Sequence, residues 1–177
     1  MRTHRIIIGH VTRELPIREV KPGVSVALLN VLGDWQLTEA AGAALVRKLP
    51  KNVEVLVMPD GKAQALLHVM GRLSGLPTII ARKEKKPYMD EPIVGVSVQS
   101  ITTQRKQELF LGADDVDDIL CGRRVAIVDD VVSSGGTLVA MQELMNKAGS
   151  EIVAIMAIAT EGTPRKDVIS IFHLPLF

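Results

Sequence analysis

Two adjacent carboxylates, Asp129 and Asp130, stand ahead of two valines and then five small residues, Ser133, Ser134, Gly135, Gly136 and Thr137. A helical pattern, LVAMQELMNKAG, follows at once. The first amides of a helix have no intrahelical partner and carry partial positive charge. Glycines let that backbone approach an anion closely, and Ser and Thr hydroxyls add donors, so 133–137 has the chemistry of a phosphomonoester cradle. The aspartates would repel the phosphate and must face something else. Sugar hydroxyls suit them, because a carboxylate accepts two such donors well, and it can also hold a divalent cation through water. Together the two features ask for a ribose 5-phosphate. A plain strand-to-helix turn, or a flavin or nucleotide phosphate site, could use the same residue types. The direct succession of apolar strand, DD, SSGGT and helix favours the sugar phosphate. The chain contains neither GxxxxGK followed by Ser or Thr nor GxGxxG, so the usual ATP and dinucleotide signatures are missing.

Elements must hold these groups. VAIV, 125–128, reads as a strand covered on both faces, which leaves the sheet at the aspartates. VEVLVMP (53–59), LPTIIARK (76–83) and EIVAIMAIAT (151–160) read likewise, and DVISIFHLPLF offers one more strand. TEAAGAALVRKLP is helical, with Thr38 as its cap and Pro50 as its stop, and a second helix runs through AQALLHVMGRLSG. Strand, helix and strand in alternation build a parallel sheet. VGVSV and QELFL alternate as two strands joined by the polar segment QSITTQRK, and ADDVDD reads as a solvated turn or helix start. The expected fold is a single α/β domain, 1–177, with a central, mostly parallel sheet flanked by helices. Its terminal segments, about 1–35 and 168–177, form a small hood outside the regular alternation.

Composition narrows the function. Hydrophobic residues are 47% of 177 and aromatics only 3%, which allows one well-buried, aliphatic core. Basic and acidic side chains number 21 and 20, so no excess positive charge marks a nucleic-acid binder. Cys121 is the single cysteine, and the four histidines show no ligand spacing, which excludes a cysteine-rich metal site and argues against a built-in zinc or iron site. No run approaches the ~18 apolar residues of a membrane span, and a soluble, cytoplasmic protein is expected.

VAIVDDVVSSGGT resembles the phosphoribosyl-pyrophosphate motif of the type I phosphoribosyltransferases. The resemblance implies that Asp129 and Asp130 hold the ribose 2- and 3-hydroxyls. Val131, Val132, Ser133, Ser134, Gly135, Gly136 and Thr137 would wrap the 5-phosphate. A second stretch, PDGKAQALLHVMGRLSGLPTIIARK, is similar to the adenine branch in its loop, its GLP turn and the triplet Ala81-Arg82-Lys83. By that likeness Asp60, Gly61, Lys62 and Ala63 cradle the pyrophosphate, with Arg82 and Lys83 beside them. Read without the likeness, Lys62 and Arg82 are either ordinary surface charges or cations suited to a highly charged leaving group. The polar hairpin around Arg105 and Lys106 has the arrangement of the family's mobile catalytic loop. Arg105, Lys106 and Asp130 are the expected catalytic residues.

The acceptor is expected to be a purine, adenine first, held against Leu29, Asn30 and Val31, which stand where adenine enzymes commonly carry a Phe-Arg-Asp-type sequence. Trp35 lines the base or anchors a core or interface. The implied reaction releases pyrophosphate, as in purine salvage and nucleotide metabolism. Mg2+ arrives with the donor rather than at a permanent metal site, and a homodimer is expected. The alternatives are a sensor that binds the donor without turnover, or a transferase for xanthine, guanine, hypoxanthine, orotate or uracil.

Overall fold

A computed structural model describes residues 2–99 and 106–177. Five parallel strands make the central sheet: β4 (Val55–Pro59), β5 (Thr78–Ala81), β8 (Arg124–Val132), β9 (Glu151–Glu161) and β10 (Ile169–Leu174), in the order β10-β9-β8-β4-β5. Before them, β1 (Thr3–Ile8), β2 (Val11–Lys21) and β3 (Val24–Ala27) form an antiparallel three-stranded sheet. A hairpin of β6 (Val94–Gln99) and β7 (Lys106–Leu111) lies off the other edge. It is tied to the end of β5 by two backbone hydrogen bonds between Arg82 and Phe110, at 2.9 and 2.8 Å.

Side-chain alternation sorts the core into two layers. Leu56 and Met58 of β4, Ala126 and Val128 of β8, and Met156 and Ile158 of β9 pack with α1 (Trp35–Val46) and α2 (Gln64–Ser74). The intervening Val55, Val57, Val125, Ile127, Ile155 and Ala157 pack with α3 (Gly136–Lys147). Strands buried on both faces read as unbroken apolar runs, and all five residues of β4 are buried. No described helix is long and apolar enough to cross a membrane.

Two boundaries differ from the sequence reading. Strand β8 does not end at the aspartates. Its ladder with the eleven-residue β9 continues through Asp129, Val131 and Val132, opposite Ala157, Ala159 and Thr160, because the longer neighbour still offers backbone partners there. Helix α1 starts at Trp35 rather than after Thr38. Asp34 caps it by accepting from the Leu37 amide at 3.1 Å, while the buried Thr38 hydroxyl donates back to the Asp34 carbonyl at 2.8 Å. Arg13 of β2 also grips the Asp34 carboxylate, at 2.6 and 2.8 Å, and so fastens the terminal sheet to α1. At the other end of the chain, Phe177 and Ser25 exchange two backbone hydrogen bonds of 2.9 Å, which brings the last residue to β3.

Candidate active site

Because the strands of the central sheet are parallel, the loops that leave β4, β5, β8 and β9 emerge on one edge, where ligands of open α/β sheets bind. Asp60 to Ala63 follow β4, Arg82 and Lys83 follow β5, Asp129 to Val132 end β8, and Glu161 ends β9.

Asp130 is the buried member of the acidic pair, 6% exposed. Its Oδ1 accepts from the Val131 amide at 2.9 Å. The Lys62 ammonium lies 2.9 Å from Oδ2, close enough for an ion pair but not aligned as a hydrogen bond, so this buried oxygen lacks a directed donor. Lys62 in turn donates to the Leu29 carbonyl at 3.2 Å. One ammonium therefore joins three segments that are distant in sequence: the loop after β4, the end of β8, and the chain following β3. Asp129 accepts from the Asp130 amide at 2.8 Å. Burial, and then the charge of Asp130, push its carboxyl up to about 7, with Lys62 pulling the other way. Glu161 also has its pKa raised by burial, opposed by Lys62.

Asp60 accepts from Gln64 Nε2 at 2.6 Å, and its other oxygen is 3.7 Å from Arg82 Nη1. Arg82 Nε is buried without a hydrogen-bond partner. Gly61, Lys62 and Lys83 are exposed and Ala63 is buried. Ser133 and Ser134 are exposed at the mouth of a cleft of about 520 Å³, and Gly135, Gly136 and Thr137 are half-buried as α3 begins. Gly135 is the N-cap of α3 at φ +82°, a left-handed backbone that favours glycine. Val132 is buried in the α3 layer of the core, and Val131 packs, half-buried, against the α1–α2 layer.

Of the residues expected at the base, Leu29 and Val31 are 3% and 2% exposed, with their side chains packed into the core. Asn30 is exposed and accepts from the Leu32 amide at 3.1 Å. Trp35 is 71% exposed and is no core anchor. It borders a separate hollow with Val31, Thr38 and His68, on the α1–α2 side. Arg105 lies outside the described residues, and of Lys106 only the backbone is described, as the first residue of β7. The sequence reading missed Glu161 and Arg165, which line the same cleft as Ser133 and Ser134. Their only signal was position, at and just beyond the carboxyl end of a buried strand.

The model of the phosphoribosyl transferase domain matches residues 43–173, a span that holds the β4 loop, the acidic pair and the glycine turn. The chain belongs to that family. A hypoxanthine/guanine phosphoribosyltransferase of Methanocella arvoryzae is 30% identical over 150 residues, covering 85% of this chain and 71% of that protein. One from Methanococcus voltae is 29% identical over 123 residues, 70% of this chain and 61% of that one. Among solved structures, an adenine phosphoribosyltransferase from Thermoanaerobacter pseudethanolicus superposes with a TM-score of 0.67 at 18% identity, over 97% of this chain and 95% of that one. A purine phosphoribosyltransferase from Pyrococcus horikoshii gives 0.56 at 20% identity, over 78% and 84%. These likenesses are of fold: the type I phosphoribosyltransferase architecture is the one described above.

Proposed function

We propose that the protein transfers the 5-phosphoribosyl group of phosphoribosyl pyrophosphate to a purine and releases pyrophosphate. The observation that carries this reading is the Lys62–Asp130 pair at 2.9 Å. In this reading the pair joins a cation of the pyrophosphate loop to a carboxylate of the ribose site, the groups on either side of the bond that breaks. Asp129 and Asp130 hold the ribose hydroxyls, and Ser133 to Thr137 hold the 5-phosphate. A ring nitrogen of the base displaces pyrophosphate at the anomeric carbon. The protein supplies position and charge rather than a covalent nucleophile. Lys62 and Arg82 are placed to meet the charge that gathers on the departing pyrophosphate. Asp130 Oδ2, buried and without a directed donor, suits a ribose hydroxyl or a water of a magnesium ion. Magnesium bound with the donor would neutralise part of the pyrophosphate charge. Arg105, outside the described residues, and Lys106, the first residue of β7, act as a lid, and the hairpin that carries Lys106 is tied to Arg82 through Phe110.

Within the purines, Ala81-Arg82-Lys83 and the GLP turn favour adenine. The names of the curated relatives favour hypoxanthine or guanine as the second reading. Separate incubations with magnesium, donor and each of adenine, hypoxanthine, guanine, xanthine, uracil and orotate test this. Nucleotide from a purine is the expected result. Turnover with uracil or orotate alone overturns the acceptor, and tight donor binding with no turnover on any base makes the protein a sensor.

A further inference from the structure

A phosphomonoester carries close to two negative charges at neutral pH. The cradle from Ser133 to Thr137 meets it with neutral donors and the partial charge of a helix end, beside two aspartates. A full positive charge against the cradle would correct that imbalance, and of the two cations that line the cleft, Lys21 and Arg165, the arginine lies against the glycine turn. Arg165, in the turn after β9, borders the same cleft as Ser133 and Ser134. Its Nε and Nη2 are gripped by the Asp167 carboxylate at 2.8 and 2.5 Å, a fork-to-fork geometry that fixes the guanidinium plane. Its third nitrogen, Nη1, lies against Gly135: a Cβ there would stand 2.9 Å from it. Glycine at 135 thus answers two demands, the left-handed backbone and the room for this guanidinium. Asp167 is 53% exposed at its side chain and Arg165 27%, so the arginine leans on the loop while its anchor faces water. An exposed pair of this kind adds little to stability. Its evident effect is to place a cation.

We propose that Arg165 is a further binding residue of the 5-phosphate, donating from Nη1 across Gly135, with Asp167 as its positioning residue. This rests on the reading of Ser133 to Thr137 as the phosphate cradle, and the test separates the two. Ribose 5-phosphate and inorganic pyrophosphate are titrated calorimetrically, each alone, into the parent protein, Arg165→Gln and Arg165→Lys at one fixed low salt concentration. A charge-assisted hydrogen bond lost to a dianion should weaken ribose 5-phosphate by roughly tenfold or more in Arg165→Gln, and less in Arg165→Lys. Pyrophosphate affinity should stay at the parent value in both, which also shows that the variants are folded at the site. A parent that fails to bind ribose 5-phosphate removes the cradle itself. If the parent binds and Arg165→Gln binds equally well, the inference is wrong while the cradle stands. Parallel loss of both ligands in Arg165→Gln would make the arginine structural and likewise overturn it.

Discussion

Asp129→Asn should make the ligand-free protein more stable at neutral pH while weakening its hold on the donor. The carboxyl is pushed from 3.8 up to about 7, first by burial and then by the neighbouring Asp130 charge. Between those values the folded protein keeps a proton that the unfolded chain has lost. Stability attributable to this group is therefore highest below about 4, falls as pH rises, and reaches its floor above about 7. At ~1.4 kcal/mol per pH unit the rise sets a ceiling of about 4 kcal/mol. Screening at the partly open strand end reduces the expected gain to roughly 2 kcal/mol. Asparagine keeps a carbonyl oxygen for the Asp130 amide but carries no charge, so it escapes the penalty. Urea unfolding of parent and variant at intervals from pH 4 to 8, without phosphate or divalent ions, reads the difference directly. The two curves should nearly coincide at pH 4 and separate progressively toward pH 8, with the variant above. In the same variant, donor affinity at pH 8 should drop by the ~1.5–3 kcal/mol of a charge-assisted hydrogen bond. A constant offset at all pH values, or a variant less stable at pH 8, would refute the idea that Asp129 is held ready for a ligand at the cost of stability.

Thr137→Leu should abolish ribose 5-phosphate binding while the thermal melt still shows a folded domain; unchanged calorimetric affinity would place the phosphate elsewhere. Arg105→Ala and Lys106→Ala should lower turnover more than donor affinity, and steady-state rates equal to the parent in both would reduce the β6–β7 connection to an ordinary hairpin. We expect a homodimer burying more than ~1,000 Å²; light scattering that finds only a 19.2 kDa species at assay concentrations contradicts it.

The middle of the central sheet was legible because β4, β8 and β9 are largely buried on both faces and therefore write apolar runs. The acidic pair and the glycine turn were legible because both lie on one continuous stretch from β8 into α3. Contacts made across the sheet edge were hidden. Nothing near Arg165 in sequence points to Gly135, thirty positions earlier; only the parallel order of β8 and β9 brings their ends together. The Lys62 ammonium likewise reaches Leu29 and Asp130 by folding alone. In the segment expected to meet the base, the side-chain directions were hidden as well: Leu29 and Val31 turn inward while Asn30 is exposed. The start of α1 was misread because Thr38 is a plausible cap, while Asp34 is chosen through an arginine on another sheet.

Phosphorylation state at the anomeric carbon can be watched directly. Phosphorus NMR of the protein with magnesium, phosphoribosyl pyrophosphate and a purine should show the donor's paired pyrophosphate signals replaced by free pyrophosphate and a nucleotide monophosphate in equal amounts. That exchange should vanish when the purine is left out. Donor signals that persist unchanged with every purine offered, from a protein that binds the donor, would contradict phosphoribosyl transfer at this site.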